Sequence, residues 1–366
     1  MKMLFLSPLP PWWHGGVEKM VWELAKYLSI DHGVDVHVWS GASGNTICSR
    51  DAISVRTYCT SKWLGYASLK MFSDIRRSAQ DFDIIHAYNS STLIPLITAL
   101  ALRSKLASKG PALVISPVFH PQASNVAFDI PKRLFERTAD RYVFRKARSI
   151  ICVSQTEAQL LRERFALANK LTIIYPGVEI AEIRKATPYP IDGKLILYVG
   201  RLERYKNIHR IIEALEHLPP HFVFYIIGEG PFRNELVAMI KRRNLSSRVQ
   251  LLGSCPDAEL HRWLKTSALL VNLSDIESFG ITVLEALAAG TPALVNHKLG
   301  LGELAQRFSG AVFSIRAEAI SSLELAAVIS DLAGARIGPV DLTDFQWSHA
   351  AFCTMRAYEQ IYNARG

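Results

Sequence analysis

Short, nearly continuous apolar runs alternate with longer amphipathic stretches along this chain, and the alternation restarts after residue 194. Met3–Ser7, Val34–Trp39, Asp83–His86, Ala112–Ser116 and Ser149–Ser154 read as strands. Between the first two, Val17, Met20, Val21, Leu24 and Leu28 fall at helical spacing, which predicts a helix over Gly16–Leu28. Residues 176–194 concentrate Pro, Gly and charge. Lys194–Val199, Phe222–Gly228, Val249–Leu252, Ala268–Leu273 and Thr291–Asn296 then read as strands, with helices at 208–218, 232–244, 256–266 and 280–289. Strands that alternate with helices and lack polar alternation predict parallel α/β layers buried on both faces. The expected architecture is two α/β lobes of similar size joined by one linker.

A length of 366 residues accommodates two domains, and 49% hydrophobic with 20% charged residues excludes a disordered or collagen-like chain. The five cysteines are scattered without metal-ligand spacing, so free thiols in a reducing compartment and no structural zinc are expected. The opening residues lack a secretory h-region, and the longest apolar run, Thr92–Leu102, is too short to span a bilayer. The expected location is the cytoplasm, or the periphery of the inner face of the cytoplasmic membrane.

Charge is unevenly placed. Residues 1–185 hold 24 Lys/Arg against 15 Asp/Glu, whereas 186–366 hold 18 of each, so the first half carries the whole net charge of +9. A positive half beside a neutral one suits an acidic partner such as a nucleic acid, an anionic membrane or a phosphate-bearing substrate.

Several segments could carry chemistry. Trp12-Trp13-His14-Gly15-Gly16 joins the first strand to the first helix, where glycine lets a ligand approach and free helix N–H groups suit an anion; it also reads as a tight turn. Arg201 and Lys206 follow the first strand of the second lobe, where two cations could neutralise a diphosphate or simply face water. Glu277 precedes a helix start at Ser278-Phe279-Gly280-Ile281, and Glu285 lies eight residues on, about 12 Å away if helical rise held throughout. Two carboxylates so separated could grip both ends of an elongated ligand, or could merely complement a helix dipole. His120, between prolines at a strand end, is a candidate proton-handling group, and His86 a weaker one. Arg133, Arg137, Arg141 and Arg145 recur every four residues, either as a seat for anionic lipid or a phosphate-bearing acceptor, or as a solvated face.

Taken in order, Gly15-Gly16-Val17-Glu18, Asp83-Ile84-Ile85-His86, His120, Ile151-Cys152-Val153-Ser154, Tyr175-Pro176-Gly177-Val178, Gly200-Arg201-Leu202 with Lys206, Gly228-Glu229-Gly230-Pro231, the pair Glu277 and Glu285, and Ala289-Gly290-Thr291-Pro292 resemble a family 4 retaining glycosyltransferase. The resemblance implies a GT-B fold, in which two Rossmann-like lobes with parallel sheets face each other across a deep cleft. It divides the chain into an acceptor-binding lobe, 1–180, completed by a C-terminal helix within 347–366, and a nucleotide-sugar-binding lobe, 181–346.

It further implies metal-independent transfer of a hexose from a GDP- or UDP-linked sugar to a glycan or lipid-linked acceptor, in cell-surface polysaccharide or glycolipid synthesis. No cofactor and no nucleic acid are implied. Arg201 and Lys206 would bind the donor diphosphate, with Gly15 and the Gly16 N–H nearby. Glu285 would hold the ribose, and Gly253 and Ser254 would line the base. Glu277 and the Ser278, Phe279, Gly280 and Ile281 turn would contact the sugar, and His120 would reach the reacting centre. Trp12, Trp13, His86 and the four arginines are the expected acceptor or membrane contacts, although one tryptophan could simply pack against its lobe. Asn207 stands where many members have glycine. A GT-B nucleotide-sugar epimerase, a glycoside hydrolase and a non-catalytic binder of nucleotide-sugar or anionic surfaces are the rival readings, with a basic nucleic-acid-binding module disfavoured because no recognition motif appears.

Overall fold

The apolar runs become parallel strands in two separate sheets. The structure is a computed structural model; it describes residues 1–13, 15–60, 66–90, 92–103, 110–120, 136–335 and 337–364. Two units are present, Met1–Gly177 together with the segment from Asp344 onward, and Val178–Thr343.

The first unit runs β1 (Lys2–Ser7), α1 (Gly16–His32), β2 (Asp35–Ala42), β3 (Thr46–Arg50), β4 (Ile53–Cys59), α2 (Leu69–Ser78), β5 (Ile84–Tyr88), α3 (Ile94–Ala101), β6 (Ala112–Ser116), α4 (Arg141–Lys146), β7 (Ser149–Cys152), α5 (Gln155–Phe165) and β8 (Leu171–Ile173). Its sheet has the order β3-β4-β2-β1-β5-β6-β7-β8. Every pairing is parallel except the edge pair β3–β4. Leu4, Leu6, Ile85, Leu113, Ile115 and Ile150 are among the strand residues of its core. Helix α1 runs four residues past Leu28, because the chain first turns left-handed at Gly33 (φ 61°); the Gly33 N–H donates to the Ser29 carbonyl and the Val34 N–H to the Leu28 carbonyl.

The second unit runs α6 (Ile180–Lys185), β9 (Lys194–Val199), α7 (Ile208–Leu215), β10 (Phe222–Ile227), α8 (Arg233–Arg242), β11 (Val249–Gly253), α9 (Asp257–Thr266), β12 (Leu269–Asn272), α10 (Ile281–Ala289), β13 (Ala293–Asn296), α11 (Leu299–Arg307), β14 (Val312–Ile315) and α12 (Ser322–Leu332). Its all-parallel sheet has the order β11-β10-β9-β12-β13-β14. That is the doubly wound 3-2-1-4-5-6 arrangement, with its switch point between β9 and β12.

A last helix, α13 (Trp347–Asn363), returns to the first unit and packs on α1. The unit boundary falls at Gly177, three residues before the expected 180. Gly177 abuts the start of α13 so closely that an added Cβ would lie 2.3 Å from the Trp347 nitrogen.

His86 anchors the returning helix. Its Nδ1 lies 2.5 Å from the Tyr358 hydroxyl and its Nε2 2.9 Å from Ser116 Oγ, while its ring stacks on Tyr88 at 4.1 Å. The side chain is wholly buried. The expectation that His86 meets an acceptor or membrane is therefore corrected: it belongs to the core, because β5 is a central strand with both faces covered.

Burial pushes the His86 imidazole down to about 3. The unfolded chain, with an ordinary imidazole near 6.5, binds the proton that the folded chain refuses. Stability should therefore fall as pH drops below about 6.5, and keep falling toward pH 3. Urea unfolding across pH 4–7 should show this acid limb, flattened by up to one proton in His86→Asn. An equal slope in both proteins would refute the assignment.

Candidate functional site

The carboxyl edge of the second sheet gathers the charged residues. Gly200 leaves β9 at φ 151°, and the chain turns through Arg201–Asn207 before α7. The next strand supports this turn from below. Gly200 N–H donates to the Ile227 carbonyl, Leu202 N–H to the Glu229 carbonyl and Phe232 N–H to the Leu202 carbonyl. No side chain fits between the layers: a Cβ on Gly228 (φ 134°) would stand 2.0 Å from the Gly200 oxygen, and one on Gly230 2.4 Å from the Leu202 oxygen. The Gly-Glu-Gly spacing follows from that close approach.

Lys206 Nζ lies 2.7 Å from Glu277 Oε2, across the β9/β12 switch point. The lysine side chain is 12% exposed and the glutamate 25% exposed, so water screens the pair only partly. Burial acts to lower the Lys206 ammonium, but the Glu277 charge and hydrogen bond outweigh it and the net shift is upward. The lysine stays cationic and aimed at the sheet edge. Arg201 is 56% exposed and bonds Glu203 Oε1 at 2.6 Å, while its carbonyl accepts from the Tyr198 hydroxyl at 2.9 Å.

Beyond Glu277, Phe279 is buried and Gly280 (φ 105°) caps α10. The Glu277 carbonyl accepts the Gly300 N–H at 3.1 Å, and a Cβ on Gly300 would stand 2.4 Å from the Ser278 oxygen. This support holds the 277–280 backbone at the head of α10, leaving the helix N–H groups of Gly280 and Ile281 at the sheet edge. Because α10 starts only at Ile281, the Glu277–Glu285 segment is half loop and the uniform helical rise does not hold. Glu285 itself is buried within α10. Gly253 (φ 73°) ends β11, its carbonyl accepting the Gly228 N–H at 2.7 Å, and Ser254 beside it is exposed.

The sequence reading missed Asp275, Asn296 and Lys298, which join the same edge. Asp275 accepts from Asn207 Nδ2 at 2.9 Å, Asn296 Nδ2 at 3.2 Å and Lys298 Nζ at 2.8 Å. Asn207 adopts φ 57°, a conformation suited to glycine or asparagine, which accounts for both residues at this position.

In the first unit, Gly15 is the N-cap of α1, and an added Cβ there would press on the flexible end of Glu18. A Cβ on Gly16 would meet nothing within 4 Å. His120 is half-buried after β6, where the adjacent Phe119 N–H donates to Glu157 Oε1 at 2.5 Å. Trp12 and Trp13 are 47% and 56% exposed. Arg141 and Arg145 are exposed on α4. Arg133 and the Arg137 side chain lie outside the described residues, and the π-helical turn at Glu136–Asp140 breaks the expected four-residue register. Among the described residues no helix is long and apolar enough to cross a membrane.

Residues 14–182 match the profile of Glycosyltransferase Family 4, and residues 179–330 that of Glycosyl transferases group 1. The chain belongs to the family 4 glycosyltransferases. It is 31% identical to a glycogen synthase of Mycobacterium tuberculosis over 60% of this chain and 56% of that protein. It is also 30% identical, over 44% of this chain and 45% of the relative, to the N-acetylgalactosamine-N,N'-diacetylbacillosaminyl-diphospho-undecaprenol 4-alpha-N-acetylgalactosaminyltransferase of Campylobacter jejuni. The chain thus spans about half the length of these relatives. Among solved structures, sucrose-phosphate synthase from Thermosynechococcus elongatus superimposes with a TM-score of 0.83 over 99% of both chains at 18% identity. The fold of this family 4 protein is GT-B.

Proposed function

We propose that this chain is a retaining glycosyltransferase that moves a hexose from a GDP- or UDP-linked sugar to a glycan or lipid-linked acceptor. The observation that carries this reading is the Lys206–Glu277 pair, with Arg201, at the switch point of a doubly wound sheet. Departure of a nucleoside diphosphate places negative charge on its oxygen atoms. Cations and helix N–H groups already in place stabilise that charge without reorganising. In this scheme Lys206 and Arg201 hold the diphosphate without a metal, and the Gly280 and Ile281 N–H groups complement them. Glu277 orients Lys206 and faces the transferred sugar, whose oxocarbenium-like character a carboxylate favours. Glu285 holds the ribose, and Gly253 with Ser254 borders the base. Retention follows from attack on the face that the diphosphate leaves, a phosphate oxygen taking the acceptor proton.

The Campylobacter relative, whose name places its acceptor on diphospho-undecaprenol, supports a lipid-linked acceptor. Exposed Arg141 and Arg145, Trp12 and Trp13 are the proposed contacts with that acceptor or its anionic surroundings. The test is sugar transfer from a panel of UDP- and GDP-hexoses in EDTA, with a soluble glycan in one arm and an undecaprenyl-diphosphate glycan in anionic vesicles in the other. Transfer with retained anomeric configuration is expected. Nucleotide-sugar turnover without acceptor would support the epimerase instead, and dependence on a divalent ion would overturn the metal-free scheme.

A further inference from the structure

Asp275 is not part of the sugar-contacting glutamate pair, yet it ties together three of the loops at the carboxyl edge of the second sheet. One carboxylate oxygen accepts from Asn207 Nδ2 at 2.9 Å, and the same amide nitrogen donates to the Leu273 carbonyl at 2.9 Å. The other oxygen accepts from Asn296 Nδ2 at 3.2 Å and Lys298 Nζ at 2.8 Å. Its backbone N–H donates to the Tyr205 carbonyl at 2.9 Å. Asp275 therefore grips the 201–207 turn twice, on either side of Lys206, and sits two residues before Glu277. Lys298 is also held by Glu318 at 3.3 Å, which fixes the far side of the cluster. Burial acts to raise the Asp275 carboxyl, but the Lys298 and Asn207 hydrogen bonds outweigh it and hold it below the ordinary carboxylate range. The group is thus a stable anion and acceptor at neutral pH.

We propose that Asp275 is a positioning residue for the diphosphate site, setting the separation of Lys206 and Glu277 by clamping the turn that carries one to the loop that carries the other. The inference rests on the nucleotide-sugar reading above and deepens it. Simple electrostatics gives the opposite expectation. Removing a negative charge from the neighbourhood of Lys206 should tighten the binding of an anion, whereas releasing the clamp should weaken it. The sign of the effect separates the two.

The experiment measures binding of UDP, GDP and ADP by titration calorimetry to the full chain and to Asp275→Asn, each also in a Lys206→Met background. For whichever nucleotide the wild type binds, Asp275→Asn should weaken affinity about tenfold, yet add less than about twofold once Lys206 is gone, since residues acting through one another are not additive. Asn207→Gly, which suits positive φ but lacks the bridging amide, should show the same loss and gives the test independently if Asp275→Asn does not fold. Unchanged or tighter binding, or a full tenfold loss in both backgrounds, overturns the positioning role alone. A wild type that binds none of the nucleotides removes the underlying reading with it.

Discussion

Lys206→Met should cut nucleotide-sugar turnover about 10²–10³-fold, the scale of losing one preorganised stabiliser of a developing oxyanion. Methionine keeps the length and apolar stem of lysine, so the change removes the charge and little of the packing. It also leaves Glu277, one-quarter exposed, without the ammonium that now sits 2.7 Å away. A carboxylate left unpaired in that setting costs about 1–3 kcal/mol of stability, so a modest fall in Tm should accompany the loss. Steady-state kinetics on the transferred sugar provides the check. Because the cation is needed most when the diphosphate departs, kcat should fall along with kcat/KM. A variant with a raised KM and unchanged kcat would show that Lys206 contributes only to holding the donor.

Gly228→Ala should strongly destabilise the second unit. The position has φ 134°, which no L-residue adopts without strain, and its Cβ would stand 2.0 Å from the Gly200 carbonyl oxygen. Conformational strain of about 1–3 kcal/mol and overpacking of about 1–3 kcal/mol act together. The contact is backbone against backbone, so no rotamer change relieves it. Gly290→Ala is the matched control: its φ is 80°, but a Cβ there would meet nothing within 4 Å. It should cost only the left-handed penalty of about 1–2 kcal/mol. Urea unfolding of the two variants should differ clearly. Equal stabilities would mean that the β9 and β10 turns are not packed as described.

These two residues also mark how much was legible beforehand. The central strands declared themselves as unbroken apolar runs, because both faces of a parallel sheet are covered, and β9, β10 and β13 lie within two residues of expectation. Arg201, Lys206 and Glu277 could be found because they follow strands, and strand ends of one sheet share an edge. The hairpin β3–β4 was not legible. Its two-residue turn places Asp51 at φ 48° and Ala52 at φ 63°, where glycine or asparagine is the usual signal. Nor was the Asp275 cluster. Asn207, Asp275, Asn296 and Lys298 lie up to 91 residues apart in the sequence, and only the strand order β9-β12-β13-β14 makes them neighbours. His86 was misplaced for a related reason: its strand position was visible, but the helix that buries it arrives more than 260 residues later.

The central claim is that the second unit holds a nucleoside diphosphate on Arg201 and Lys206. Thermal unfolding of the wild type and Arg201→Ala with UDP, GDP and ADP sugars in EDTA tests it most directly. A ligand at a hundred times its dissociation constant stabilises the fold by about 2.7 kcal/mol, a readily visible shift. One nucleotide should raise the wild-type Tm and leave Arg201→Ala close to its unliganded value. Equal shifts in both proteins, or none in either, would contradict the account.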